Sequence, residues 1–414
     1  MKILYVSQYF PPEMGAPAAR AGELSQHWAR EGHEVTVLTG FPNHPLGIIH
    51  PEYRKPFRHM VAKERVRGAK VVRTWLWPLP NRKSYERMLN YASFCISASI
   101  TGMFVSKPDV VIGTSPQLLV GLAAWWISRI KSAPFVFEVR DLWPESLSAV
   151  GMGDRSLLHS VLGKIAGFLY EHSQHIVVVT PAFKDHLIKY WKVPAEKISV
   201  VQNGVETELF RPGNPDQDLR KRWDAEGKFV VCYIGTMGWA HGLDSLVHAA
   251  KLLRNSPVVF VLVGEGADKE RIVDLAKAKD LNNIRVLGQQ PRDQIPNYIA
   301  SSDACLVLLK KTDVFKTVIP TKMLEFMACG RPVILGVEGQ ARDILNEAQA
   351  GVSIEPEDPA DLAEAVVFLA KDAEERKILG NNGRDYILKT LSREQTAGKY
   401  IGVLNEVSAR YLTV

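Results

Sequence analysis

The chain alternates between short apolar runs rich in β-branched residues and longer stretches whose apolar positions recur at helical spacing. Near-continuous apolar runs are typical of parallel strands that are covered on both faces. Helical spacing between the runs predicts helices, among them Pro17–Gly32. In the first half the runs predict strands at Ile3–Ser7, Val35–Leu38, Val71–Trp75, Val110–Gly113, Phe135–Val139 and Ile176–Thr180.

The pattern restarts after a polar, turn-rich segment, NGVETELFRPGNPDQD. Two βα sets joined by such a linker predict an α/β protein of two doubly wound, Rossmann-like domains. We expect an N-terminal domain at 1–203, a C-terminal domain at 204–390, and a helix in 391–414 that packs back on the first domain. The second set of runs predicts strands at Phe229–Gly235, Val258–Gly264, Ile284–Gly288, Ala304–Leu309 and Pro332–Gly336.

Ligands of open α/β sheets bind beyond the carboxyl ends of the strands. With two such sheets facing each other, we expect the site in the cleft between them. The net charge of +6 suits an anionic partner, either a phosphorylated ligand, an anionic lipid or a nucleic acid, without choosing among them. Four cysteines without a Cys-x-x-Cys pair, and a first strand rather than a signal peptide at the start, predict a cytoplasmic protein.

Loops of small residues follow the first strand of each predicted domain. Gly15 lies in the segment that leads into the first helix, and Gly235, Thr236 and His241 lie in the corresponding loop of the second domain. The N–H groups and dipole at a helix N-terminus suit a phosphate. The alternative is a plain strand–helix connection with a proline near the first helical position.

Charged residues stand directly at the end of the Phe135–Val139 run. Arg140 and Asp141 follow this strand, and Glu138 lies inside it. Unpaired charges are costly to bury, so a charge at this position needs a reason. One reason is a ligand, which we favour, and the other is an internal ion pair of Arg140 with Asp141 or Glu138.

The stretch PTKMLEFMACGRPVI carries the most informative pair of charges. With Thr321 as the helix N-cap, Lys322 lies in the first turn, where a cation opposes the helix dipole. An anion bound there would explain the lysine. Glu325 lies three residues further on and could reach the same ligand. A lysine for a phosphate and a carboxylate for ribose hydroxyls together suggest a nucleotide. The alternative is a surface Lys322–Glu325 pair of little energetic worth.

These motifs resemble the retaining glycosyltransferases of family 4, which have the GT-B fold. The resemblance covers nearly the whole chain and rests on PPEMGAPAAR, EGHEVTVLTG, VVQNGVETELFRP, PTKMLEFMACGRPVI and AGVSIEPEDPADLAEAV. The chain is also similar to the WbuB-type transferases of O-antigen assembly, a subgroup associated with N-acetylfucosamine-type donors. The resemblance implies a UDP-sugar donor, a lipid-linked saccharide acceptor, and no cofactor or metal.

The resemblance also implies roles for individual residues. Gly15 would lie near the donor diphosphate and the acceptor, and the backbone of Gln290 would face the nucleobase. Glu325 matches the second glutamate of the family's E-x7-E motif, which holds the ribose hydroxyls. Backbone N–H groups of Lys322 and Met323 would face the diphosphate.

Near the transferred sugar, the sequence departs from the family. Arg140 falls where many members have a histidine, and Asp141 matches the position that follows it. The first glutamate of E-x7-E is replaced by Thr317, and the usual diphosphate-binding Arg and Lys fall near Thr236 and His241. We therefore hypothesise that Lys322, together with Arg140, supplies the missing positive charge.

A basic segment precedes an apolar one between Arg54 and Val105. Eight Lys and Arg residues stand between Arg54 and Arg73, and Met88–Val105 is an apolar, helix-like stretch. A basic stretch beside an amphipathic helix suggests peripheral attachment to an anionic membrane, and the alternative is a solvated face beside core helices. The adjacent Trp125 and Trp126 are more typical of core or interface packing than of a lipid anchor.

Three other functions are considered. A dehydrogenase or epimerase needs a complete Gly-x-Gly-x-x-Gly or a Tyr-x-x-x-Lys pair, neither of which occurs. A nucleic-acid-binding module needs aromatic residues interleaved with basic ones, and this pattern is also missing. A catalytically weak partner subunit or nucleotide-sugar-binding protein remains an alternative because the usual diphosphate-binding charges are replaced.

Overall fold

The computed structural model describes residues 1–13, 15–44, 46–80, 83–143 and 157–412. The chain divides into two compact units. Unit 1 comprises Met1–Asn203 with Thr396–Val414, and unit 2 comprises Gly204–Gln395. In each unit a largely parallel sheet carries helices on both faces, which confirms the predicted fold class of two doubly wound α/β domains.

Unit 1 is built on a sheet with strand order β3-β4-β2-β1-β5-β6-β7-β8 among the described residues. Its strands are β1 Lys2–Val6, β2 Glu34–Gly40, β3 Val61–Val66, β4 Ala69–Thr74, β5 Val110–Thr114, β6 Phe135–Val139, β7 His175–Val178 and β8 Ile198–Val200. Its helices are α1 Ala16–Arg30, α2 Arg54–Phe57, α3 Ser84–Gly102, α4 Leu118–Lys131, α5 Leu157–His172 and α6 Pro181–Trp191.

Unit 2 has a second parallel sheet, with order β11-β10-β9-β12-β13-β14 in the described part. Its strands are β9 Phe229–Ile234, β10 Val258–Val263, β11 Ile284–Leu287, β12 Ala304–Leu308, β13 Val333–Gly336 and β14 Gly351–Ser353. Its helices are α7 Gln217–Arg222, α8 Asp244–Leu252, α9 Lys269–Ala278, α10 Ile295–Ala300, α11 Thr321–Ala328, α12 Gln340–Ala348, α13 Pro359–Lys371 and α14 Ala373–Tyr386.

The final helix, α15 (Arg393–Leu412), belongs almost entirely to unit 1. Its buried face packs against α1, where the ring centroids of Trp28 and Tyr400 lie 5.3 Å apart. The indole Nε1 of Trp28 donates to the carbonyl of Ala397 at 3.2 Å. The last helix therefore completes one of the two hydrophobic cores of unit 1.

The edge of the unit 1 sheet departs from the sequence expectation. The predicted strand at Val71–Trp75 is present as β4, but β3 pairs with it antiparallel inside the basic segment. The β3 sequence, VAKERV, has three consecutive charged residues instead of an apolar run, and its side chains alternate between exposed and half-buried. An edge strand of this kind has one partner and no fully covered face, which explains the weak signal.

Candidate functional site

The loops after β9 and β10 touch through their backbones. The N–H of Gly235 donates to the carbonyl of Val263 at 2.9 Å, and a Cβ atom on Gly264 would lie 2.0 Å from the carbonyl oxygen of Gly235. Gly235 and Gly264 have φ values of +141° and +150°. Only glycine combines this conformation with so close an approach. The loop that carries Gly235, Thr236 and His241 is therefore held in place by its neighbour.

Lys322 enters this loop region from α11. Its Nζ atom is buried and has no hydrogen-bond partner in the described part of the chain. The atom lies 4.0 Å from the centroid of the Tyr233 ring, and a Cβ atom on Gly235 would lie 3.1 Å from it. Burial lowers the pKa of Lys322 to about 7, while the charge of Glu325 acts in the opposite direction.

The start of α11 differs by one residue from the expectation. Pro320, with φ −64° and ψ 121°, occupies the N-cap position, so Thr321 is already helical and is not the cap. Lys322 still lies in the first turn. Its predicted alternative, a surface pair with Glu325, is not the arrangement found, because the ammonium is buried and Glu325 pairs with Arg292.

His241 and Thr236 are the residues that the resemblance places near the family's diphosphate-binding cations. Burial and, to a smaller extent, the charge of Lys322 lower the pKa of His241 to about 4, so this imidazole is neutral at pH 7. Its Nδ1 lies 3.2 Å from the carbonyl oxygen of Leu308. Thr236 is exposed, and its carbonyl accepts a hydrogen bond from Tyr233 Oη at 2.7 Å. Neither residue supplies positive charge, whereas the ammonium of Lys322 reaches the Tyr233 ring.

Glu325 lies one turn beyond Lys322 on α11 and is largely buried. Its Oε1 lies 3.1 Å from Arg292 Nη1, and the Arg292 guanidinium lies 5.1 Å from the centroid of the Phe210 ring. Sequence reasoning missed Arg292, although it follows Gln290 closely in the loop after β11. The side chain of Gln290 donates to the carbonyl of Gly288 at 3.1 Å, which orders this loop.

Two further predicted donor-site residues, Thr317 and Met323, have hydrogen-bonding groups that already bond within the protein. Thr317 ends a short 3-10 helix, Asp313–Thr317, and its hydroxyl donates to the carbonyl of Val314 at 2.8 Å. The N–H of Met323 donates to the carbonyl of Pro320 at 3.0 Å, so this N–H group already has a partner. Diphosphate binding by Met323 stays a prediction and requires that bond to be shared.

In unit 1, Gly15 occupies the N-cap of α1 with φ +127°, ahead of a proline in the first turn. Just before it, the buried carboxyl of Glu13 accepts hydrogen bonds from the N–H groups of Asn43 and His44, both at 3.0 Å. Burial raises the pKa of Glu13 to about 7, against the lowering effect of these N–H groups. The loop is thus anchored to the segment after β2, and Gly15 itself is exposed.

Arg140 follows β6, but its guanidinium is not part of the expected ion pair. Nε and Nη1 of Arg140 are buried without a hydrogen-bond partner among the described residues. The carboxylate of Glu138 pairs instead with Arg20, at 2.8 Å, and both side chains are buried. Asp141 is exposed. The strand-end charge is therefore left open to another partner.

The basic segment divides into a buried part and an exposed part. Arg73 is fully buried, where it pairs with Glu64 at 2.5 Å and donates to the carbonyls of Gly40 and Pro11. It is therefore a core residue and not part of a basic surface. Its exposed neighbours on the β3–β4 hairpin, by contrast, face solvent: Lys63, Arg65, Arg67 and Lys70.

An apolar surface lies beside this hairpin. Ile96, Ile100 and Phe104 recur every four residues along and just beyond α3, with 63%, 55% and 81% of their surface exposed. A groove of about 680 Å³ runs between the α3 end and the sheet edge, lined by Ile100, Phe104, Val72, Lys63, Arg65 and Lys70. Trp125 packs against Phe168, as expected for a core residue, whereas Trp126 is 44% exposed.

Metal sites and membrane-spanning helices are two features that the sequence does not imply. Within the described ranges, no cluster of three or more His, Cys, Asp or Glu side chains is arranged to hold a metal ion. Across the same part of the chain, no helix is both long and apolar enough to cross a bilayer.

Family models match most of the chain. Residues 215–386 match the family described as glycosyl transferases group 1, and residues 15–204 match the glycosyl transferase 4-like domain. The putative colanic acid biosynthesis glycosyl transferase WcaI of Escherichia coli (strain K12) is 26% identical, with 97% of this chain and 99% of the relative covered. The probable glycosyltransferase WbjE of Pseudomonas aeruginosa is 24% identical, over 67% of this chain and 69% of the relative.

Solved structures share the fold at low sequence identity. Sucrose-phosphate synthase from Thermosynechococcus elongatus superimposes with a TM-score of 0.78 at 18% identity, covering 99% of both chains. Anabaena Alr3699/HepE in complex with UDP-glucose gives a TM-score of 0.73 at 16% identity, covering 98% of this chain and 100% of the other. WaaG, a glycosyltransferase involved in lipopolysaccharide biosynthesis, gives 0.66 at 13% identity, covering 97% and 99%.

Proposed function

Because the chain belongs to the group 1 glycosyltransferases with the GT-B fold, we propose that it is a retaining enzyme that transfers a sugar from a UDP-sugar to a polyprenyl-diphosphate-linked saccharide. The reaction would serve bacterial surface polysaccharide synthesis such as that of O-antigen, with an N-acetylated 6-deoxyhexosamine such as N-acetylfucosamine as the transferred sugar. The buried ammonium of Lys322, which has no hydrogen-bond partner in the described ranges, carries the proposal. The solved Anabaena relative, which holds UDP-glucose, supports the choice of nucleotide.

The donor would bind at the carboxyl ends of the unit 2 strands. Glu325 would accept hydrogen bonds from the ribose hydroxyls, and the loop around Gln290 would border the base. Lys322 would contact the diphosphate, close to Gly235 and at the positive end of α11. A lysine without a hydrogen-bond partner among the described residues is suited to this task, because no existing bond has to break when the anion arrives.

The chemistry requires stabilisation of negative charge on the leaving phosphate. In a front-face substitution this phosphate also helps to deprotonate the acceptor, so no enzymic nucleophile is needed. A preorganised cation in a water-poor site lowers the energy of the developing charge without reorganisation. Since His241 is neutral at pH 7, Lys322 would provide this cation in unit 2. Asp141 and Arg140 would border the transferred sugar or the acceptor in unit 1.

We further propose that the protein attaches to the cytoplasmic face of the plasma membrane, where a polyprenyl-linked acceptor resides. The apolar stripe of Ile96, Ile100 and Phe104 would enter the bilayer interface, and the nearby cations Lys63, Arg65 and Lys70 would meet anionic headgroups. Exposed apolar side chains beside basic ones are the pattern of interfacial attachment. The groove between them has a volume of about 680 Å³, which leaves room for part of a lipid chain.

A ligand panel tests the nucleotide assignment. UDP and UDP-sugars should raise the melting temperature, while GDP, ADP and NAD should not, because only a ligand of the folded state stabilises by linkage. Lys322→Ala should weaken UDP affinity by about ten- to a hundredfold, the worth of a charge-assisted hydrogen bond. The exposed Lys277→Ala variant is the matched control. Stabilisation by NAD alone would reject the proposal, and UDP binding without sugar transfer to any lipid-linked acceptor would favour the partner-subunit alternative.

Vesicle sedimentation tests the membrane face. Wild-type protein should sediment with phosphatidylglycerol vesicles and less with phosphatidylcholine vesicles. Replacing Ile96, Ile100 and Phe104 by serine should reduce binding by about tenfold or more, given roughly 1.5–3 kcal/mol for each fully buried apolar side chain. Phe368→Ser, at a position in unit 2 that is 49% exposed, should leave vesicle binding unchanged. Equal binding by all three proteins would remove this face from the proposal.

A further inference from the structure

The end of β6 brings the guanidinium groups of Arg20 and Arg140 beside the buried carboxylate of Glu138, with the exposed Asp141 next in the chain. Glu138 is fully buried, and both of its oxygens are occupied. Oε1 accepts from Arg20 Nε at 3.0 Å and Nη2 at 2.8 Å, while Oε2 accepts from Tyr5 Oη at 2.8 Å and Thr114 Oγ1 at 2.5 Å. Burial raises the pKa of Glu138, but these neighbours and Arg140 outweigh it and hold the pKa below its usual value. This carboxylate is therefore charged and fully used.

Arg20 is equally complete. Beyond Glu138 it donates to the carbonyls of Val201 and Gln202 and to the side-chain oxygen of Asn203, at 3.2, 3.1 and 3.0 Å. Arg20 and Glu138 thus form a closed structural pair that ties α1 and β6 to the segment after β8. The hydrogen bonds of this pair are complete, so the Glu138 carboxylate accepts none from a second cation.

Arg140 is that second cation. Its backbone N–H donates to Ser115 Oγ at 2.7 Å, which fixes the main chain, but Nε and Nη1 are shielded from solvent without a hydrogen-bond partner in the described structure. Burial lowers the pKa of Arg140, yet a guanidinium keeps its proton at neutral pH. A buried donor without an acceptor is costly, and a buried charge is more so. Two parallel N–H groups of a guanidinium match the two oxygens of a phosphate or carboxylate.

We propose that Arg140 is a specificity residue that binds an oxyanion group of a substrate, either a phosphate of the acceptor or a carboxylate on the donor sugar. The second source would replace the neutral N-acetylated 6-deoxyhexosamine of the proposed function by an acidic sugar. The inference rests on the proposed function and deepens it, since it assigns a charge requirement to unit 1. A neutral sugar hydroxyl could satisfy one N–H group but not the charge. Glu138 beside it is already taken up by Arg20, and Nε and Nη1 of Arg140 have no hydrogen bond to Asp141 or to any other described residue.

Binding measurements distinguish the two sources of the oxyanion. The probes are geranyl diphosphate against geraniol for the acceptor, and UDP-glucuronate against UDP-glucose for the donor. Arg140→Met should weaken either geranyl diphosphate or UDP-glucuronate by about ten- to a hundredfold, and leave the neutral member of that pair unchanged. Arg129→Met, at an exposed position on α4, is the control. UDP-glucose binding reports on unit 2 separately. Failure of the wild-type protein to bind UDP-glucose would therefore count against the proposed function itself.

Two further results protect the interpretation. Arg140→Lys keeps the charge but not the planar pair of donors, and should bind the affected probe with intermediate affinity; this variant also serves if Arg140→Met does not fold. A purely structural Arg140 would lower the melting temperature on replacement and leave all four affinities unchanged. That outcome would overturn the inference. Equal losses for charged and neutral probes would also overturn it, as would wild-type protein that binds neither oxyanion probe.

Discussion

The carboxyl edges of the two sheets each present one buried cation without a hydrogen-bond partner among the described residues, Arg140 in unit 1 and Lys322 in unit 2. Their surroundings differ. Arg140 adjoins a closed ion pair, Arg20–Glu138, whereas Lys322 rests on the face of the Tyr233 ring at 4.0 Å. The guanidinium remains charged at every physiological pH, but the pKa of the Lys322 ammonium is lowered to about 7 by burial.

The difference separates a permanent charge from one that depends on its ligand. In unit 1 the attraction for an anion is fixed by the chain. In unit 2 the pKa of Lys322 is about 7, so this side chain is close to half-protonated at neutral pH. A diphosphate that binds there raises the pKa and so restores the positive charge that holds it. The two edges should therefore respond differently to pH and to substitution.

The largest effect should come from the closed pair. Arg20→Met leaves Glu138 buried without its cation, and should lower the free energy of unfolding of unit 1 by about 3–5 kcal/mol. Arg140→Met removes a cation that has no hydrogen-bond partner among the described residues, and should change stability little or raise it. Urea unfolding followed by tryptophan fluorescence measures both. If the two variants were equally destabilised, Arg140 would be structural and the contrast between the arginines would be lost.

The second effect is on the pH dependence of nucleotide binding. Because a bound anion raises the pKa of Lys322 above its value in the empty protein, binding above pH 7 must take up a proton. UDP-glucose affinity should thus be level below pH 7 and fall by up to about tenfold per pH unit above it. A UDP-sugar is the proper probe, since its diphosphate diester does not titrate near neutrality.

Isothermal titration between pH 6 and 9 measures this dependence. Of the groups beside Lys322, His241 has a pKa of about 4 and burial raises the pKa of Tyr233 far above this range, while Glu325 is a carboxylate paired with Arg292. Lys322→Arg carries a fixed charge and should flatten the profile. A wild-type profile as flat as that of the arginine variant would show that the ammonium stays charged without ligand.

The smallest effect concerns the aromatic ring below the ammonium. Tyr233→Leu removes the ring face and should weaken UDP-glucose binding at pH 7 by about two- to tenfold relative to Tyr233→Phe, within the roughly 0.5–2 kcal/mol of a cation–π contact. The phenylalanine variant is the matched control because it loses only the hydrogen bond from Tyr233 Oη to Thr236. Equal affinities of the two variants would mean that the ring merely fills space.

Much of the fold was predictable because its signals are local. Fully covered parallel strands such as β9 and β10 read as apolar runs, and the turn-rich linker lies at the division between the units. The three-residue strands β8 and β14 are too short to produce a pattern, and β3 is exposed at a sheet edge. Their pairing depends on long-range contacts that no sequence window contains.

The candidate site was predictable at strand and helix ends, and less so where a role depends on burial. The position of Lys322 on α11 suggested an anion, but only the structure puts its ammonium on Tyr233. Arg292 was missed because its partner, Glu325, lies 33 residues further along the chain. Arg73 counted as a surface cation until its buried bonds to Glu64 and backbone carbonyls were seen.

The return of α15 to unit 1 has a consequence for synthesis on the ribosome. The indole of Trp28, made early, finds its acceptor at Ala397 only after all of unit 2 has been translated. N-terminal domains usually complete their folding first during translation. Here the apolar face around Trp28 stays uncovered until Tyr400 has left the ribosome. A premature stop before this helix thus damages the part of the protein that was made first.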